Sequence, residues 1–194
     1  MLHFIYRALL GVPGLFLRLP PRIWVFGYGV SIELIIFIYW LMHRKEEKPG
    51  KARMACLCFM VLYLVFAFLI TTLSRKPLGA YHFELIPLKA YYLILKGSRS
   101  KLKEVFYNYC LLMPLGLLLP TVLDYKCGWK DILLLSFMYT LAVESTQLIF
   151  RLGWFEIDDL IHNCLGALIG YGLVCLCRRA LGIWRERTGK TGLS

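Results

Sequence analysis

Charged residues are scarce in this chain of 194 residues. They make up 18% of it, whereas hydrophobic residues make up 59%, and the mean hydropathy is +0.62. Soluble domains carry about a quarter charged residues and about half apolar ones. Disordered chains need low hydrophobicity and high charge. The composition therefore excludes intrinsic disorder and argues against an ordinary soluble globular protein.

Acidic residues are the scarcer charge, with 12 Asp and Glu against 23 Lys and Arg, which leaves a net charge of +11. The basic residues lie between apolar runs, in 43–53, 74–103 and 178–190. The sequence has no zinc-finger, RNA-recognition or basic-zipper pattern, so we expect no nucleic-acid partner. Positive charge beside apolar runs is typical of a protein whose partner is the lipid bilayer.

The sequence also lacks a closed set of disulfide cysteines. Its cysteines number seven, an odd count, and none of them forms a CxxC motif. Most lie inside apolar runs, where Cys behaves as a small hydrophobic residue. We expect them to be structural, and no serine or cysteine nucleophile motif is recognisable.

Long apolar runs, by contrast, are abundant, and five of them reach the length of about 20 residues that a helix needs to cross a bilayer. They are Ile23–Met42, Met54–Leu73, Val105–Leu123, Ile132–Phe150 and Leu160–Cys177. In lipid, backbone polar groups must be satisfied within their own segment, and the alternation of barrel strands is absent. We predict an all-α fold, a polytopic membrane bundle of about five transmembrane helices.

Three regions follow from these runs. Residues 1–22 are apolar but are interrupted by charge and by Val12-Pro13-Gly14, which predicts an interfacial or re-entrant segment. Residues 23–177 form the transmembrane domain, and residues 178–194 form a basic cytoplasmic tail. The N-terminal segment has no small-residue cleavage site, so we do not expect it to be a removed signal peptide.

The connections between the runs determine the expected orientation. The connection 74–104 mixes seven Lys or Arg with aromatic residues and is expected to lie at the membrane surface. Long connections count little in the positive-inside rule. Without this one, four basic residues lie on the side of the N-terminus and twelve on the side of the C-terminus. We therefore expect the C-terminus to be cytoplasmic.

Polar side chains inside the fourth run are candidates for a functional site, because ionisable groups are costly in a membrane. Glu144, Gln147 and Arg151 are at i, i+3 and i+7, so they would share one helix face. They would form either a functional stripe aimed into the bundle or hydrogen bonds that only hold helices together. Glu33, in the first run, is open to the same two interpretations.

The fifth run begins with a second polar group. Asp159, His162, Asn163 and Gly166 fall on one helix face, with Asp158 just before them. An Asp in the first turn satisfies free N–H groups at a helix start, but this does not explain the His and Asn one turn deeper. Asp159 and His162 have the spacing of metal ligands. Further ligands would have to come from elsewhere, so we expect no metal and no cofactor.

One proline and three glycines predict how the helices bend and pack. Pro114 would bend the third helix, and Gly116 follows it. Gly166 and Gly170 form a GxxxG pattern, which lets a neighbouring helix come close.

The polar residues would meet at one membrane edge. Only eight residues, 151–158, join the fourth and fifth runs, so these helices are expected to be antiparallel neighbours. Arg151 would then pair with Asp159 at the edge, with Glu144 about 10 Å deeper. Asn108 would hydrogen-bond to Glu144 or to Asn163. The predicted polar cluster comprises Asn108, Glu144, Gln147, Arg151, Asp158, Asp159 and Asn163.

Three motifs in this order resemble those of the VanZ-like membrane proteins, over about residues 80–170. They are Phe83-Glu-Leu-Ile-Pro87-Leu88; Asn108 with Pro114-Leu-Gly116; and Glu144-Ser-Thr-Gln147, Arg151 and Asp158-Asp159-Leu-Ile-His162-Asn163-Cys-Leu-Gly166. Glu156 stands where members often have Asp, and His162 where they have an apolar or small residue.

The resemblance implies a multi-pass protein of the bacterial cell membrane. The founding members of the family are associated with reduced susceptibility to glycopeptide antibiotics, chiefly teicoplanin. A lipid-linked cell-wall precursor or a glycopeptide is the partner that this setting implies. The resemblance does not supply a biochemical mechanism.

Two other functions stay open. A membrane enzyme acting on a lipid or lipid-linked phosphate would use Asp159 or Glu144 as acid or base, with Arg151 holding an anion. A small transporter would show inverted repeats and paired broken helices, and the sequence has no internal repeat, so this function ranks last. A polar pocket lined by the cluster would favour a ligand or an enzyme over plain helix packing.

Overall fold

The computed structural model describes residues 50–73 and 80–187, together with single residues before and between these ranges: Gly27, Ser31, Leu34, Phe37, Ile38, Arg75 and Leu78. The five described residues of the first predicted run are all helical. The expectations for residues 1–22, for Glu33 and for the end of the basic tail lie outside the described residues.

Five helices and two short strands follow one another in the described residues. They are α1 (Lys51–Leu73), β1 (His82–Glu84), α2 (Lys89–Leu95), α3 (Arg99–Val122), α4 (Trp129–Ile149), β2 (Trp154–Glu156) and α5 (Ile157–Arg187).

Four of these helices are long and apolar enough to cross a membrane, and they correspond to the second to fifth predicted runs. The candidate spans are Lys51–Thr72, Arg99–Val122, Trp129–Ile149 and Ile157–Gly182. The predicted all-α membrane bundle is confirmed.

The helix α3 extends beyond the apolar run that predicted it. It begins at Arg99 because Ser98 caps it, with the Ser98 hydroxyl accepting the Lys101 N–H at 3.4 Å. Lys101 and Glu104 then form an ion pair within the first two turns, so their charges are accommodated in the helix. Asn108 consequently lies in the third turn of α3 and not near its start. Capping, and not the change in hydropathy, decides where this helix begins.

The core lies between the four long helices. The most extensive contact joins α3 to α5, while α5 also packs along α4 and α1 packs along α3. Met60, Leu112 and Ile132 are fully buried within it. Tyr139 donates a hydrogen bond to the Leu64 carbonyl at 2.7 Å, which ties α4 to α1 inside the core.

Glycines bring α3 and α5 into backbone contact. A Cβ added to Gly166 or Gly170 on α5 would collide with backbone carbonyl oxygens of α3. A Cβ added to Gly116 on α3 would collide with the Ala167 carbonyl on α5. Pro114 lies inside α3, which continues through it to Val122. The two helix backbones therefore touch along a line of small residues.

A two-stranded parallel sheet covers one end of the bundle, called here the sheet end. β1 pairs with β2, which places His82 opposite Trp154 and Glu84 opposite Glu156. The His82 and Trp154 rings stack with their centroids 4.9 Å apart. Strands of three residues are too short to show alternation in the sequence, so the pattern does not predict them. The ends of α1 and α4 and the beginnings of α3 and α5 meet beneath this sheet.

Candidate functional site

Four carboxyl groups gather at the sheet end; Glu104, Glu144, Glu156 and Asp159 are called here the carboxyl cluster. Oxygen atoms of Glu104, Glu156 and Asp159 lie within 4.8 Å of one another. Glu144 accepts the backbone N–H of Glu156 at 3.2 Å. Glu144 and Asp159 are buried, with 2% and 6% of their surface exposed. Helices α3, α4 and α5 and strand β2 each contribute one member.

Two cations face this cluster. Lys101 donates hydrogen bonds to Glu104 at 2.5 Å and to Glu156 at 2.9 Å. Arg75 interacts electrostatically with both Glu144 and Asp159. Its guanidinium lies against Gly153, in the space that a Cβ at this position would occupy. Four carboxyl groups and two cations therefore lie together at the sheet end.

The predicted amide residues connect different pairs of helices. Asn108 donates to Asp159 at 2.5 Å, joining α3 to α5, and not to Glu144 or Asn163 as expected. Asn163 donates to Thr140 at 2.8 Å, joining α5 to α4. Gln147 donates to a carbonyl of α1 at 3.4 Å. Asn108 reaches Asp159 because α3 begins at Arg99 and places the amide beside the first turn of α5.

Several buried polar atoms near the cluster have no hydrogen-bond partner within the described part of the chain. They are Gln147 Oε1, Asn163 Oδ1 and both ring nitrogens of His162. Buried polar atoms of this kind are rare in folded proteins. They provide acceptors and one imidazole that a polar ligand could use.

His162 lies in an aromatic environment. Its ring centroid is 5.3 Å from that of Tyr91 and 5.4 Å from that of Tyr109. The two tyrosine hydroxyls are hydrogen-bonded to each other at 2.7 Å. Burial, with the hydrogen bond to Tyr109 as the next cause, raises the pKa of Tyr91 to about 12. Tyr91 is therefore neutral at physiological pH and places no phenolate beside His162.

Arg151 lies outside the carboxyl cluster. Its guanidinium packs over the Tyr81 ring at 4.5 Å, and among the described residues it forms no ion pair with Asp159 or another carboxylate. The expected Arg151–Asp159 pair is wrong because α4 ends at Ile149. Arg151 follows the helix at φ 55°, with its N–H donating to the Leu148 carbonyl at 3.0 Å. Arg151 is therefore not on the helix face of Glu144, although its i+7 spacing predicted this.

Asp158 binds backbone rather than the carboxyl cluster. Its two carboxylate oxygens accept the N–H groups of Leu88 at 2.5 Å and Ala90 at 2.8 Å. Leu88 has a left-handed conformation, φ 61°, just before α2. Asp158 thus fastens the first turn of α2 to the first turn of α5 and holds α2 over the sheet end.

A cleft of about 280 Å³ opens beside the cluster between α2, the sheet and the beginning of α3, and is called here the sheet-end cleft. Its polar lining is Glu84, Lys89, Lys101, Trp154, Glu156 and Asp158. Lys89 and Glu84 form an ion pair on one wall. Glu156 belongs to both the cleft and the cluster, and Lys101, which binds Glu104 and Glu156, also lines the cleft, so the cleft borders the cluster.

The spacing of Glu104, Glu156 and Asp159 is one that could hold a metal ion. Lys101 already supplies a positive charge to two of these three carboxylates. The pair considered from the sequence, Asp159 and His162, separates in the structure, because His162 packs against the two tyrosines while Asp159 faces Asn108.

A family model described as VanZ/LLP1 matches residues 54–178, which is more than half of the chain. The chain belongs to the VanZ/LLP1 family. A search of curated proteins and a search of solved structures return no match. With its four candidate spans, this family member is a multi-pass membrane protein.

The first and third motifs that resembled VanZ-like proteins meet at the sheet end of this VanZ/LLP1 protein together with Asn108 of the second, whereas Pro114 and Gly116 lie in the other half of α3. The first forms β1 and the turn into α2, the second lies on α3, and the third forms the end of α4 and the beginning of α5. The sequence did not indicate Arg75, Lys101, Glu104 or Glu156 as site residues. Lys101 and Glu104 do have i, i+3 spacing just before an apolar run, a signal that could have been used.

Proposed function

We propose that this VanZ/LLP1 protein lowers the susceptibility of a bacterial cell to glycopeptide antibiotics, teicoplanin in particular, by binding a lipid-linked cell-wall precursor at the sheet-end cleft. The observation that carries the proposal is the continuity of this cleft with the carboxyl cluster through Lys101 and Glu156. The protein would act in the bacterial cell membrane.

The chemistry of the cleft suits the head group of such a precursor. Lys89 and Lys101 offer ammonium groups to phosphate or carboxylate, and Glu156 offers a carboxylate to an amine. The Trp154 indole is 43% exposed at the edge of the cleft and offers an apolar, amphipathic surface. This lining is complementary to a head group that carries both positive and negative charges and whose lipid chain lies in the bilayer.

The position of the cleft also fits a lipid-linked ligand. The cleft lies at the ends of four candidate spans, the depth at which the head group of a membrane lipid is found. Apart from the long connection 74–104, which counts little in the positive-inside rule, most basic residues lie at the opposite end of the bundle, including Arg53, Lys130 and Arg178. This distribution favours a sheet end outside the cell, where glycopeptides act.

A second candidate is a membrane enzyme that acts on a lipid-linked phosphate. The observation in its favour is the buried pair of Glu144 and Asp159 next to a cleft with two lysines. The anion would be held by Lys89 and Lys101, since Arg151 lies on Tyr81. Release of inorganic phosphate from a lipid-linked diphosphate by the purified protein would establish this candidate, and unaltered lipid after prolonged incubation would exclude it.

The proposed function predicts that the cluster is required for resistance. Expression in a teicoplanin-susceptible bacterium is expected to raise the minimal inhibitory concentration, and Glu144→Gln or Asp159→Asn is expected to remove this effect at unchanged membrane levels. Both substitutions keep the side-chain shape while replacing the carboxyl group with an amide. Trp154→Ala, at the cleft edge, is expected to weaken the effect without disturbing the buried network.

The matched control is Asp124→Asn, which makes the same replacement of a carboxyl group with an amide at an exposed position on the opposite end. It is expected to leave resistance intact. Full resistance in Glu144→Gln, Asp159→Asn and Trp154→Ala together would refute the proposal. Loss of the first two variants from the membrane, with full resistance in Trp154→Ala, would assign the cluster to helix packing.

A further inference from the structure

A second cleft, of about 340 Å³, lies at the opposite end of the bundle and is called here the basic cleft. It lies between the connection 123–128 and the end of the candidate span in α5, Ile157–Gly182. Its lining combines Pro120, Tyr125, Tyr171, Val174, Arg178 and Arg179. Apolar and basic groups thus face the same space.

The two arginines of this cleft have no carboxylate partner among the described residues. Neither Arg178 nor Arg179 forms an ion pair in the part of the chain that the structure describes. The Arg178 guanidinium lies over the Tyr125 ring, 3.7 Å from its centroid. This cation–π contact holds one guanidinium in place and leaves its N–H groups available at the edge of the plane.

The backbone that presents Tyr125 is unusual. Asp124 and Tyr125 both have left-handed conformations, φ 53° and 56°, which residues other than glycine rarely adopt. The Tyr125 N–H donates to the Pro120 carbonyl at 2.6 Å and keeps the turn closed. Two neighbouring residues keep this strained backbone conformation only where the surrounding structure requires it. Here the conformation places the Tyr125 ring beneath Arg178.

The local charge is positive. The hydrogen bond and charge of Lys126 lower the pKa of Asp124, and Arg53 and Arg178 add to the effect. Asp124 binds Lys126 at 3.1 Å and is not bonded to either arginine of the cleft. Burial raises the pKa of the Cys127 thiol, so this residue is neutral. The Asp131 carboxylate also acts on Cys127 and accepts the Gly128 N–H, so with two arginines the basic cleft keeps a net positive charge.

The depth of the cleft corresponds to a membrane surface. Arg178 is 21 residues after Ile157, which at 1.5 Å per residue is about 31 Å along α5. The hydrocarbon core of a bilayer is about 30 Å thick. If Ile157 lies at one surface, Arg178 lies at the other, level with the phosphate groups of the lipids. Val174 lies one turn deeper, within reach of an acyl chain.

We propose that the basic cleft binds the phosphate group of an anionic phospholipid of the adjacent leaflet, with Arg178 and Arg179 on the phosphate and an acyl chain along Val174 and Pro120. Guanidinium groups bind phosphate through paired N–H donors. Basic pockets between transmembrane helices are suited to anionic lipid head groups. This site lies at the other end of the bundle from the sheet-end cleft and does not depend on the proposed function.

The test is native mass spectrometry of the purified full chain after addition of phosphatidylglycerol or of phosphatidylcholine. One retained phosphatidylglycerol is expected, with little phosphatidylcholine. The double substitution Arg178→Gln with Arg179→Gln is expected to reduce retention at least tenfold. The matched control, Lys51→Gln with Lys130→Gln, removes the same charge at the same end outside the cleft and is expected to retain the lipid.

Two further arms keep the proposal falsifiable. Arg178→Lys with Arg179→Lys keeps the charge but loses the paired donors, and we expect a several-fold loss of retention even if the glutamine variant does not fold. Millimolar inorganic phosphate should not displace the lipid, because it lacks the acyl chain. Displacement by phosphate would point to a site for a free anion, and equal retention by both arginine variants and the control would overturn the proposal.

Discussion

At the scale of single residues, Arg151 illustrates how local backbone geometry overrides helical spacing. It occupies the left-handed position that ends α4, with φ 55°. For a residue other than glycine this conformation costs about 1–2 kcal/mol. The contact of its guanidinium with Tyr81 offsets about 0.5–1 kcal/mol. The backbone conformation of Arg151 therefore destabilises the fold by more than its contact with Tyr81 stabilises it.

This difference predicts the order of two variants. Arg151→Gly removes both the strain and the Tyr81 contact, whereas Arg151→Ala removes the contact and keeps the strain. We expect the glycine variant to be the more stable of the two by about 1 kcal/mol. Thermal unfolding in detergent would measure the difference. An alanine variant that melts at the same temperature as the glycine variant, or above it, would contradict the helix-end assignment.

At the scale of elements, the contact of α3 with α5 determines the geometry of the site. Asn108 meets Asp159 only because the two backbones touch where Gly116, Gly166 and Gly170 lie. Without a driving hydrophobic effect between helices in lipid, close van der Waals contact is the main source of their association. A methyl group on this line would separate the helices and move Asn108 from Asp159.

The glycine contact gives a prediction with a matched control on the same helix. Gly166→Ala and Gly116→Ala are expected to destabilise the protein by about 1–3 kcal/mol, because the added Cβ meets backbone that cannot move aside. Gly172→Ala adds the same atom to α5 with nothing within 4 Å. It is expected to be neutral or slightly stabilising, since alanine favours helix. The melting temperatures in one detergent should separate the two classes, and equal losses at Gly166 and Gly172 would contradict the packing.

At the scale of the whole molecule, the two clefts lie at opposite ends of one bundle. The sheet-end cleft borders the carboxyl cluster, and the basic cleft contains two arginines that form no ion pair with the described residues. With the positive-inside rule, we expect the sheet end outside the cell and the basic end inside. The bundle would then present a candidate ligand site to the exterior and a lipid site to the inner leaflet.

Cysteine labelling tests this orientation in a background without the seven native cysteines. A membrane-impermeant thiol reagent is expected to modify Trp154→Cys in intact cells, because this position is exposed at the sheet end. Lys130→Cys at the opposite end, and Lys190→Cys in the tail, are expected to react only after permeabilisation. Labelling of Lys190→Cys from outside, with protection of Trp154→Cys, would reverse the topology.

Local patterns in the sequence were sufficient to predict the class of fold and part of the site. Apolar runs predict four of the helices, and the cost of polar groups in lipid points to Glu144, Asp159 and Asn163, which are all buried at the sheet end. Glycine spacing also indicated the helix face that contacts α3. Each of these features depends on residues within one apolar run, so a single stretch of sequence contains it.

Contacts between residues far apart in the chain were decided only by the tertiary structure. Lys101 binds Glu156 across 55 positions, and Asp158 binds Leu88 across 70. The pairing of β1 with β2 and the approach of Arg75 to Glu144 are contacts of the same kind. The periodicity of a helix determines which side chains lie on the same face. It does not determine which element packs against that face. The sheet-end cleft exists only once the bundle has assembled, and for this reason local patterns predicted only Asp158 of its lining.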